Sequence, residues 1–420
     1  MPFGLLADLG PLRTERAFRT LWFGQVGSAL AREASRLAVP LHVFLLTESA
    51  AAIALVALVQ LGATVIFSIA GGALADLFDR RLLLLTTQVT MALASLGLVI
   101  TALIPDPPLW AILACTFVVT ALLPVEHPAR VASIPRLVPP DRLSAAIAVT
   151  ALNNQTAAVT GPAVAGILIA MWGVGGAYAL MVAGYAWAAI ASARMPSLQP
   201  LDRLPTSRIE LIFGGFRFAV RKRVVMSTFA LDLNAMTFGL PVALLPVLAI
   251  DVFGLSAGEV GLLAAARGVG ALGAAVVSGW IPQVQRLGRA VLWVVLAFSA
   301  ASLGLGLATA SLPLAFALIV VCGATDVWSA VIRNSIVHTT TPDALRGRIT
   351  ALHTLATQSG PRIGDIRASL TAEAVGVAPA LAIGGAMAMA GVAAIARIFP
   401  ELIAYPADSV VANDEEEMVQ

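Results

Sequence analysis

Four acidic residues, Glu33, Glu126, Asp232 and Asp326, stand inside or at the end of long apolar runs, where an ionised side chain is costly. Near the centre of a bilayer an ionisable group costs at least about 2.5–3.5 kcal/mol, so it faces a polar interior or pairs with another charge. Arg32, Arg36, Arg267, Arg333, Arg362 and Arg367 also stand within apolar runs of this kind, with a fifth acid, Asp365. Glu33 with Arg36, and Arg362 with Asp365, have the three-residue spacing of neighbours on one helix face. A carboxylate shielded from water, but released from its arginine in one conformation, has a movable proton affinity. That is the chemistry of proton exchange. The expected carriers are Glu33 and Asp232 first, then Asp326 and Glu126, with Arg32, Arg36, Arg267 and Arg333 as cavity arginines. Ion pairs that merely tie helices together are the structural alternative.

The elements that must position these groups follow from hydropathy. Of 420 residues, 59% are apolar and 12% charged, against about 45–50% and about 25% in soluble domains. A soluble enzyme is excluded, and a net charge of +2 does not point to nucleic acid. Crossing a bilayer takes about 20 apolar residues. Cut at charges and Gly/Pro clusters, the chain gives twelve spans: Phe18–Leu46, Ser49–Leu74, Leu82–Ile104, Leu109–Ala129, Leu143–Met171, Gly175–Ala193, Val224–Ile250, Val260–Ile281, Ala290–Ala310, Pro313–Ile336, Leu345–Leu370 and Val377–Ile398. The expected fold class is an all-α integral membrane protein. No cleavage-like site precedes the first span, so it is expected to stay attached as a helix. Lysine and arginine outside the spans fall on one side only, while the opposite loops carry acids such as Glu48, Asp106 and Asp251. Basic residues are retained in the cytoplasm, which puts both termini there and the protein in the inner membrane.

The polar interruption Arg194–Arg223 divides the spans equally. Expected domains are a six-helix bundle at 1–193, a cytoplasmic linker at 194–223, a second bundle at 224–399 and an acidic tail at 400–420. Within the linker, Ile209–Val220 is amphipathic and suits a membrane surface. Landmarks recur between the halves in the same order: Arg130 and Arg333 are 203 apart, Gly161-Pro162 and Gly360-Pro361 are 199 apart, Glu33 and Asp232 are 199 apart, and Glu126 and Asp326 are 200 apart. Parallel repeats of this kind are a transporter feature.

Between the second and third spans the chain reads Gly72-Ala-Leu-Ala-Asp76-Leu-Phe-Asp79-Arg80-Arg81. Glycine permits close helix contact, and Asp76 with Arg80 has the spacing of a charge pair. This loop resembles the signature loop of the major facilitator superfamily, departing from it at Leu77 and Asp79. The resemblance implies a gating role for Asp76, with Arg80 and Arg81 beside it and Arg130 as the proposed partner of Asp76. Span five is similar to the helix pattern of that superfamily's exporters, with Ala148, Ala157, Gly161, Pro162, Ala165 and Gly166 at its small-residue and proline positions. Small residues let helices approach, and Pro162 removes a backbone donor. Ala17–Gln25, Pro128-Ala-Arg130, Val138–Asp141 and Thr341–Arg348 extend the likeness to the drug:proton antiporter branch containing the enterobactin exporter and macrolide efflux proteins. It implies twelve helices in two pseudo-symmetric bundles, a central cavity lined by spans one, four, seven and ten, and export driven by proton entry.

Other patterns carry no chemistry. Gly268-Val-Gly270-Ala-Leu-Gly273 lies inside an apolar helix rather than after a strand, and Gly254-Leu-Ser256-Ala-Gly258 falls in an outer turn. Histidines show no zinc spacing, the two cysteines are core residues, and the single lysine, Lys222, is outside any phosphate loop. Neither metal nor cofactor is expected; a proton gradient supplies the energy. The expected activity is alternating-access antiport of a small organic molecule by a monomer, not an enzymatic reaction. Arginines slightly outnumber acids in the spans and aromatics are only 6%, which leans toward an anionic or polyhydroxylic product such as a siderophore, with drug or macrolide-like cargo as the other class. An importer or lipid-moving protein of the same fold, and a non-transporting receptor or scaffold, remain as alternatives.

Overall fold

A computed structural model describes residues 9–199 and 216–405, without the side chains of 69–73, 75, 76, 282, 338, 343, 344, 346–348, 350 and 351. Most of the amphipathic linker stretch Ile209–Val220 and of the acidic tail therefore lies outside the described residues, as do the side chain of Asp76 and the surroundings of Gly72.

Twelve long helices follow among the described residues: α1 (Arg16–Thr47), α2 (Ala50–Leu77), α3 (Arg80–Leu103), α4 (Leu109–Leu137), α5 (Leu143–Trp172), α6 (Val174–Ala193), α7 (Arg223–Phe238), α8 (Val260–Val277), α9 (Leu287–Leu307), α10 (Leu312–Thr340), α11 (Asp343–Val375) and α12 (Val377–Ile398). Among the described residues, ten spans are long and apolar enough to cross a membrane. The others are α1 and α11, of 32 and 33 residues, which carry many of the charges singled out above. Polar caps set several boundaries: Ser49 accepts from the Ala52 amide at the start of α2, Asp79 from Arg81 at the start of α3, and Ser311 from Leu314 at the start of α10. Gly173 (φ +64°) joins α5 to α6 and Gly376 (φ +89°) joins α11 to α12. These positions, 203 apart, are left-handed turns that glycine adopts without strain.

The seventh span departs from the expected single helix. It stops at Phe238, and the chain then runs through a 3₁₀ turn at Val242–Leu244 and a π-helical stretch at Leu248–Val252. Gly239, Pro241 and Pro246 explain the break: each proline lacks a donor and clashes with the preceding turn. A hydropathy average passes over such a break because all of these residues are apolar.

The chain forms two compact units, Met1–Pro205 with Leu245–Ala265, and Thr206–Leu244 with Ala266–Gln420. In the first, α1 packs on α5 and α6, α2 on α4, and α3 on α4 and α6. In the second, α7 packs on α11 and α12, and α9 on α10 and α12. Gly270 of α8 lies against the Val320 carbonyl of α10. The sequence repeat is thus also a repeat of packing partners.

Candidate functional site

In the second unit, α7, α10 and α11 bring three ionisable groups together. Asp232 Oδ1 stands 2.5 Å from Arg333 Nη2, and Asp232 Oδ2 is 4.0 Å from His353 Nε2. Asp232 is 3% exposed and Arg333 5%. A second arginine nitrogen, Nη1, donates to Ser329 one turn back on α10. His353 meets Phe229 edge-on, with ring centroids 5.9 Å apart. Thr228, Phe229, Asp232, Arg333, Val337 and His353 are grouped around this site. Sequence spacing did not bring His353 or Ser329 into the site: His353 reaches Asp232 only across helices, and no same-helix spacing reveals such a contact.

Two other pairs lie in the same unit. Arg267 Nη2 and Asp326 Oδ2 are 2.7 Å apart, linking α8 to α10, with side chains 34% and 41% exposed. Arg362 and Asp365 make the expected same-helix pair at 3.7 Å, and Asp365 also accepts from the Ala243 amide. Arg367 donates from Nε to the Thr237 carbonyl and lies over the Phe238 ring, which holds the end of α7 where the helix breaks.

The first unit holds the other cluster. Glu33 and Arg36 pair at 2.8 Å on α1, as their spacing predicts. Glu126 and Arg130 pair at 3.0 Å on α4, both buried. Arg130 thus has a partner other than the one proposed from the sequence, while Asp76 lies outside the described side chains. Because Arg130 and Arg333 each hold the residue four positions earlier, Glu126 corresponds to Ser329, both 203 apart, and Asp326 has no acidic counterpart. Arg32 Nη2 donates to Asn154 Oδ1 of α5 at 3.3 Å.

The exporter-like stripe of α5 is buried at Ala157, Gly161, Pro162, Ala165 and Gly166. Ala148 differs and is exposed. A Cβ on Gly161 would stand 2.5 Å from Glu33 Cβ, so this glycine lets α5 lie against the acid on α1. One on Gly166 would stand 2.6 Å from Gly261 Cα. At the loop after α2, Arg80 donates to the Ala132 carbonyl and Arg81 to that of Ala193. Asp79, one of the two departures from the signature loop, accepts from the amides of Arg81 and Leu198 and from the Ser197 hydroxyl. Burial alone would raise its proton affinity, but these bonds outweigh it and hold the carboxyl below its ordinary pKa.

Its family and its relatives make this chain a secondary transporter of the major facilitator class. The chain belongs to the transmembrane secretion effector family, whose profile matches residues 6–417. It is 31% identical to an enterobactin exporter, EntS, of Escherichia coli O1:K1 / APEC, over 86% of both chains. It is 30% identical, with the same coverage, to an enterobactin exporter of Shigella boydii serotype 4. Among solved structures, a POT family transporter in complex with thioalcohol conjugated peptide has a TM-score of 0.74 at 14% identity, over 92% of this chain and 96% of that one. A bacterial homologue of the iron transporter ferroportin has 0.68 at 16%, over 92% and 98%. These structures share the fold.

Proposed function

We propose that the protein exports a small organic molecule, siderophore-like or macrolide-like, in exchange for protons by alternating access. The reading places it in the inner membrane with both termini cytoplasmic. Likeness to enterobactin exporters along most of the chain supports export. Proton coupling is carried by one observation: Asp232 is buried, its Oδ2 has no hydrogen-bond partner among the described residues, and its other oxygen is held by Arg333.

A proton delivered to Asp232 removes the charge that Arg333 neutralises. The arginine is then uncompensated in a low-dielectric site, and the arrangement joining α7 to α10 loses its electrostatic basis. Release of the proton restores it. His353, facing the open carboxylate oxygen from α11, is placed to stabilise one of the two protonation states. Glu33, held by Arg36 beside Gly161, is the acid assigned this role in the first unit, with Glu126 and Asp326 as secondary groups.

The test is transport in liposomes carrying the purified protein and an imposed pH gradient, with enterobactin, a macrolide and a cationic dye as cargo. Gradient-driven flux of one class is expected. Asp232→Asn should abolish accumulation against the cargo gradient while leaving cargo–cargo exchange. Accumulation by that variant at the unaltered rate would remove Asp232 from coupling, and flux in the import direction only would replace the exporter reading.

A further inference from the structure

Of the four cavity arginines, Arg36, Arg267 and Arg333 each hold a carboxylate within 2.8 Å. Arg32 holds none among the described residues; its hydrogen bond goes to the neutral amide oxygen of Asn154 at 3.3 Å. Around it, Arg36 is matched by Glu33 and Arg130 by Glu126, so the cluster keeps one positive charge in excess. Arg32 interacts electrostatically with Arg130, which opposes its charge, as well as with Glu126, Tyr185 and Glu33. An excess cation within a membrane bundle is expensive unless an anion joins it.

The surroundings add hydrogen-bond donors without partners. The Tyr185 hydroxyl on α6, which interacts with Arg32, is buried and has no hydrogen-bond partner among the described residues, and the same holds for Nδ2 of Asn153, next to Asn154 on α5. Arg32 itself is only partly covered. We infer that Arg32 is the docking point for an anionic group of the cargo, a carboxylate or an acidic phenol, within the first unit. A planar guanidinium presents two parallel donors to such an oxygen pair, which a lysine cannot do. The inference rests on the export reading only in treating the bound anion as cargo.

The experiment compares two ligands of nearly the same shape, the anion 2,3-dihydroxybenzoate and the neutral 2,3-dihydroxybenzamide, by calorimetry on the full-length protein at neutral pH. The acid should bind at least about tenfold tighter than the amide. Arg32→Gln should erase that ratio and Arg32→Lys should keep part of it, while the exposed Arg289→Gln keeps it whole. Melting curves of each variant report folding separately. Equal binding of acid and amide by the native protein, binding of neither, or an unchanged ratio in folded Arg32→Gln would overturn the anion site. Loss of gradient-driven transport with the ratio intact would instead sink the proton-coupled reading and leave the site standing.

Discussion

Asp232 and Arg333 join α7 to α10 through a 2.5 Å ion pair that is almost wholly buried. Removing one member of a buried pair leaves the other uncompensated, at about 3–5 kcal/mol, whereas replacing both by apolar groups of similar size is often neutral. Arg333→Met is therefore expected to lower the melting temperature in detergent strongly. The double variant Asp232→Leu with Arg333→Met should regain most of that loss. Two independent, additive losses would show that the groups do not act as a pair.

The Arg267–Asp326 pair provides the contrast. Both side chains are about one-third or more open, and an ionised pair at that position in a membrane helix must face water. Pairs open to water contribute about 0–1 kcal/mol. Asp326→Asn should leave the melting temperature close to native, so any transport defect it causes is not a folding defect. A loss as large as that of Arg333→Met would place the pair in a dry environment instead.

Asp79 ties the start of α3 to Ser197 and Leu198 after α6. Its carboxyl lies below the ordinary 3.8, so the sign is fixed: this stabilisation is complete above 3.8 and is lost as pH falls below it. Asp79→Ala should cost about 1 kcal/mol as a lost cap. Hydrogen exchange at the Arg81 and Leu198 amides should rise in that variant at neutral pH, and in the native protein only in acid. Unchanged protection at Leu198 in the variant would show that another group holds the segment.

What could be read from the sequence was what lies along one helix. Apolar length gave the spans, and three-residue spacing gave Glu33–Arg36 and Arg362–Asp365. Contacts between helices were not legible, because they depend on rotation and packing: Asp232 with Arg333 and His353, and Arg267 with Asp326. The repeat was legible, but its register at Glu126 was misread. Matching acid to acid selected Asp326, whereas the partner of Arg333 one turn back is Ser329. The break after Phe238 was written in Gly239 and Pro241, yet their apolar character hid it from a span count.

Burial divides the small-residue stripe of α5 more finely than its composition does. Gly166 lies against the backbone of Gly261 and Gly258, with a built Cβ at 2.6 and 2.8 Å from their Cα and carbonyl oxygen. Backbone atoms cannot rotate aside, so Gly166→Ala must push the two segments apart, at about 1–3 kcal/mol for an overpacked contact. Gly161→Ala meets the Glu33 side chain, at 2.5 Å from its Cβ, and should move that acid as well as lower stability. Ala148 points away from the buried stripe, and Ala148→Leu should melt like the native protein. Thermal unfolding of the three variants in one detergent checks the order. Equal melting of Gly166→Ala and Ala148→Leu would mean that the stripe is compositional and that α5 has no close approach at Gly166.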